Sequence, residues 1–96
     1  MKNKYYVQTV LYELVHGYYF EVSGQQVIKT ETNDLQQALK KFKIESEKFR
    51  SRLVMISLCE RKELEDIEIK VFSTLDDRIS IMIDGDEERR IIQGEE

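Results

Sequence analysis

An α+β domain is predicted, an antiparallel sheet of five or six strands with one helix packed on one face, in the order β-β-(β)-α-β-β-β. Three observations predict it. The first and last thirds of the chain hold runs rich in Tyr, Val, Ile and Leu that alternate or end at turn residues. The middle carries apolar residues at helical spacing. No proline, repeat or linker-like stretch divides the 96 residues, so 1–96 reads as a single domain.

Tyr5–Val15 suits a half-buried strand, His16-Gly17 a tight turn, and Tyr18–Ser23 the return strand. A two-residue turn there sets Leu14 opposite Tyr19 and Leu11 opposite Val22. Ser23-Gly24 turns the chain again, and Gln26–Thr32 forms a third, more polar strand. Asn33 is placed to cap a helix, with Gln36 three residues later as in a capping box. Leu35, Ala38, Leu39 and Phe42 make its apolar stripe. The helix is predicted over Asp34–Ile44, reaching Arg50 if Ser46, Phe49 and Leu53 continue the stripe. Leu53–Cys59 is a near-continuous apolar run, fit for a strand buried on both faces. Ile67–Leu75 alternates, Asp76-Asp77 turns, and Ile79–Ile83 alternates again, predicting a second hairpin. Asp84-Gly85 predicts a further turn, Arg89–Ile92 a short edge strand, and residues 93–96 a frayed acidic tail.

The net charge of −4 is unevenly spread: Met1–Cys59 carries nine Lys/Arg against six Asp/Glu, and Glu60–Glu96 six against thirteen. Such polarity gives one small body opposite fields at two ends. Cys59 is the only cysteine, so no intramolecular disulfide forms. The opening Met1-Lys2-Asn3-Lys4 leads into alternation rather than a signal-peptide core, and no apolar run nears the ~20 residues of a membrane span. A cytoplasmic location, with no membrane partner, is the expectation.

The residues for catalysis are sparse. His16 is the one histidine and sits at a turn, where a solvated imidazole lacks the positioned partner a general base requires. Cys59 ends an apolar strand with no neighbouring histidine to activate it. One Cys and one His do not supply a closed zinc set. Asp84-Gly85-Asp86-Glu87-Glu88 lacks the spacing of a calcium loop, and no glycine-rich phosphate loop is present. No enzyme, metal or cofactor is expected.

Binding features are better represented. The five tyrosines, Tyr5, Tyr6, Tyr12, Tyr18 and Tyr19, all fall in the first hairpin, and adjacent ones point to opposite faces. A single helix covers one face. Either Tyr5, Val7, Leu11 and Val15 lie under the helix and Tyr6, Val10, Tyr12 and Leu14 face away from it, or the assignment is reversed, since both faces are apolar. The expected function is a non-catalytic protein-binding module, an inhibitor or regulator of a host or cognate protein. Its candidate contact residues are Tyr6, Tyr12 and Tyr19, with the acidic Asp84, Asp86, Glu87 and Glu88. A homodimer through the open face is the other protein partner weighed. The alternative is nucleic-acid binding through Lys40, Lys41, Lys43, Lys48, Arg50 and Arg52, although Glu45 and Glu47 interrupt that cluster.

The opening Lys4-Tyr5-Tyr6-Val7, the helix start Asn33-Asp34-Leu35-Gln36-Gln37-Ala38-Leu39 and the acidic tail set the character of the chain. In that character it resembles the short acidic α+β proteins of bacteriophages and mobile elements. The resemblance implies binding to a host protein, possibilities including anti-CRISPR and other anti-defence inhibition.

Overall fold

The computed structural model describes residues 3–76 and the backbone of residues 81–82. Five strands form an antiparallel sheet and one helix lies on it: β1 (Tyr5–Val15), β2 (Tyr18–Glu21), β3 (Ile28–Thr32), α1 (Leu35–Lys48), β4 (Val54–Glu60) and β5 (Ile67–Ser73). A two-residue β6 (Ile81–Met82) adds to β2.

The long β1 is the spine. Along one edge it pairs with β4 over Tyr5–Leu11. Along the other, β2 pairs with Tyr12–Val15 and β3 with Tyr5–Gln8, end to end. The β1–β2 hairpin has the expected register, with Leu14 opposite Tyr19. His16 and Gly17 both take positive φ, 52° and 82°, which matches the right-handed twist of the strands they join. Between β2 and β3 the chain leaves the ladder, and the Gln25 side chain fills the gap. Its Oε1 accepts from Leu11 N–H at 2.8 Å, and its Nε2 donates to the Leu11 and Val22 carbonyls at 2.9 and 3.0 Å. A side-chain amide thus replaces a missing peptide group.

Asp34, not Asn33, caps α1, its carboxylate accepting from Gln36 N–H at 2.9 Å. Asn33 instead accepts from Lys4 N–H at 2.7 Å and ties the helix entry to the start of β1. The helix runs to Lys48, between the two ends, Ile44 and Arg50, that the sequence allows. Its stripe packs on Tyr5, Val7 and Leu11 of β1 and on Val54, Ile56 and Leu58 of β4, with Ala38 and Phe42 at the centre. Those β1 residues belong to one of the two apolar faces read in the sequence, and the fold sets the helix on that one. Val15 was placed on that face too, but it is exposed, because β1 overshoots the helix at the hairpin end.

The end of the chain departs from expectation. A hairpin of β5 with the following strand was predicted, yet β6 pairs in parallel with β2, on the opposite side of the sheet from β5. The connection leaves β5 through Thr74, whose hydroxyl donates to Arg52 C=O and accepts from Val54 N–H, 2.6 and 3.0 Å. It then reaches Asp76, whose N–H donates to the Tyr19 hydroxyl at 2.9 Å. Satisfied in this way, the described backbone after β5 heads toward β2 and does not fold back on β5. The turn residue Asp77, the turn at Asp84-Gly85, the strand Arg89–Ile92 and the tail 93–96 lie outside the described residues.

Candidate functional site

Ile67, Ile69 and Val71, which alternate in the sequence, are 47%, 43% and 46% exposed. They do not share one face, because β5 carries a bulge. Lys70 pairs with Leu58 but Glu68 with Cys59, so Ile69 is an extra residue that shifts the phase of the strand. Lys70 and Phe72 therefore turn toward the helix side, opposite Leu58 and Ile56, and Val71 turns away, opposite Ser57.

Between α1 and β5 this leaves a groove of about 850 Å³. Leu39, Phe42 and Phe72 line its apolar part, with Gln36 and Ser46 from successive helix turns. Lys40, Lys43 and Lys70 complete it with cations, and none of its lining residues is acidic. Lys70 Nζ lies 5.4 Å from the centre of the Phe42 ring. Among the described residues, no carboxylate pairs with these three lysines, so their charge is not neutralised within the fold.

β5 also forms an edge. Thr74 N–H donates to Val54 C=O, which sets the phase of the β4–β5 ladder. Two residues back, Phe72 directs its peptide groups to β4, and so does Lys70. Val71 and Ser73 then direct theirs outward, where no strand pairs with them among the described residues.

The predicted basic cluster is divided by the fold. Lys40 and Lys43 join Lys70 at the groove. Lys41 pairs with the buried Glu45 at 3.7 Å, Lys48 lies over the Phe49 ring, and Arg50 and Arg52 are exposed beyond the helix. Lys70 and Phe72 were missed. The available signal was a lysine interrupting an apolar strand, which marks an edge.

The tyrosines serve the fold more than a surface. Tyr6 and Tyr12 do face away from the helix, but Tyr6 is 9% and Tyr19 2% exposed. The Tyr6 hydroxyl donates to Asp66 at 2.7 Å, and Arg61 stacks over its ring while pairing with Glu31 at 2.7 Å. Burial and that hydrogen bond push the phenol well above its ordinary pKa. Burial likewise raises the Cys59 thiol and so suppresses its thiolate. Tyr12 stays half-buried, edge-on to Tyr19 at 6.3 Å, and remains reachable. Asp84, Asp86, Glu87 and Glu88 lie outside the described residues. His16 is exposed in its turn.

No helix among the described residues is long and apolar enough to cross a membrane. Comparison with family models, curated proteins and solved structures finds no match to this chain. Fold and site together define an α+β domain with a cationic, apolar groove beside a strand edge that is unpaired among the described residues.

Proposed function

We propose that this chain is a non-catalytic protein-binding module, an inhibitor or regulator that holds an acidic segment of a host or cognate protein in the α1–β5 groove. The observation that carries the reading is a groove with an apolar interior, three lysines and no acid among its described lining residues, in a chain whose net charge is −4. A mostly apolar lining with a few placed charges suits a partner that brings both side-chain bulk and negative charge. Nucleic acid is a poorer fit. Single strands are held by stacking bases on open aromatic faces, and Phe42 is only 5% exposed with Lys70 above it.

The test is affinity capture from the source cells with the wild type, a Lys40→Glu/Lys43→Glu/Lys70→Glu variant and Tyr12→Ser, read by mass spectrometry. Capture of a protein lost only in the lysine variant supports the groove. Capture that survives there but fails with Tyr12→Ser moves the contact to the open sheet face. A nuclease-sensitive capture that weakens steeply with salt turns the reading to nucleic acid.

A further inference from the structure

We infer that the acidic segment binds in extended form, as a strand added to the outer edge of β5; this rests on the groove reading above. A side-chain groove alone accepts a helix, a loop or a strand. Here the groove is lined by three consecutive residues, Lys70, Val71 and Phe72. Consecutive residues of a strand point to opposite faces, so a groove that touches all three runs along the strand's edge as well as over its helix face. That edge offers the outward peptide groups of Val71 and Ser73, which want hydrogen-bond partners. The bulge at Ile69 breaks the edge's regularity, so pairing is confined to the Lys70–Ser73 end, which is the end beside the groove.

The occupant's chemistry follows. A strand paired with Val71 and Ser73 points alternate side chains toward α1, where Lys40, Lys43 and Lys70 favour Asp or Glu. Its other side chains lie on the face of the exposed Val71, where apolar residues gain most. The partner segment is therefore short, extended and alternating, acidic on one side and apolar on the other.

The probe is an acetylated and amidated hexapeptide of alternating Glu and Val, with its Lys/Val counterpart as the charge control. Two further versions are N-methylated on alternate residues, one in each phase, so that only one of them loses the amides facing β5. The expected result is binding by the Glu/Val peptide, none by Lys/Val, and at least a tenfold loss in one methylated phase only. Slowed hydrogen exchange at the Val71 and Ser73 amides should accompany binding. Val71→Pro removes an outward N–H without removing a bond to β4, and a variant with unchanged unfolding temperature should bind at least tenfold more weakly.

Equal binding of both methylated peptides would mean capture by charge alone, which overturns strand addition and leaves the groove reading standing. Loss in both phases, or no binding by the Glu/Val peptide, also overturns strand addition, while the lysine-variant capture decides the groove reading independently. A dimeric mass by light scattering that Val71→Pro makes monomeric would assign the edge to a second copy and overturn the acidic-segment proposal.

Discussion

Glu45 lies 3% exposed among the core residues of α1, where a carboxylate must find partners. It accepts from the Thr9 hydroxyl at 2.9 Å and pairs with Lys41, whose stem lies along the helix. Thr9 is itself fully buried, so its hydroxyl was placed on the helix side of β1 to meet that carboxylate. Thr9→Val keeps the shape and deletes the donor. It should destabilise by ~1.5–3 kcal/mol, the range for hydrogen bonds to charged groups, and Thr9→Ser should recover much of the loss in a urea titration. Phe42, at the centre of the core, should cost about 3–5 kcal/mol as Phe42→Ala, a large share of the ~5–15 kcal/mol that holds such a domain together. A cooperative Phe42→Ala protein with an unchanged midpoint would place the helix wrongly. Tyr6 makes a pH-dependent contribution. Its folded pKa is raised above 10.0, so the folded state keeps a proton that the unfolded state releases. That stability is complete below about pH 10 and is lost as pH rises from there through the folded pKa. Tyr6→Phe should flatten the alkaline fall in unfolding temperature.

At the scale of elements, the β1 spine needs partners on both edges, and the two halves of one edge come from strands separated by a loop. Gln25 bridges the break with three hydrogen bonds. Gln25→Ala leaves the Leu11 N–H to water or to nothing, while the Leu11 carbonyl keeps the Val22 N–H, and should cost ~1–3 kcal/mol. Gln25→Glu should cost more, because a carboxylate offers no donor to the Leu11 and Val22 carbonyls. Equal unfolding midpoints for wild type and both variants would reduce Gln25 to a surface residue. The same reasoning explains β5. Its bulge turns Val71 away from the helix and also protects the edge, since an irregular strand with a lysine in it resists indiscriminate pairing.

For the whole molecule, the groove's three lysines belong to a chain whose net charge is −4. Exposed charges act over about a Debye length, ~10 Å at 0.1 M salt. Association of an acidic partner should therefore slow as salt rises, mostly through the on-rate. The Lys40→Glu/Lys43→Glu/Lys70→Glu variant should lose that dependence in stopped-flow measurements. An on-rate indifferent to salt in the wild type would remove electrostatics from the recognition.

What the sequence determined by itself was local. The helical stripe Leu35–Ala38–Leu39–Phe42, the positive-φ turn at His16-Gly17 and the two faces of β1 were all legible, because periodicity and turn chemistry act over a few residues. The α+β class followed from the order of those elements. The tertiary structure alone decided the path of the chain after β5, the burial of Tyr6 and Tyr19, and the meeting of Lys40 and Lys43 with Lys70. Each depends on contacts between residues far apart in sequence: Tyr19 with Asp76, Tyr6 with Asp66, and α1 with β5. The bulge made the difference for the site. One extra residue at Ile69 reverses which side chains of β5 face the helix, and strand alternation read along the chain has no means of recording a residue that its neighbouring strand leaves unpaired.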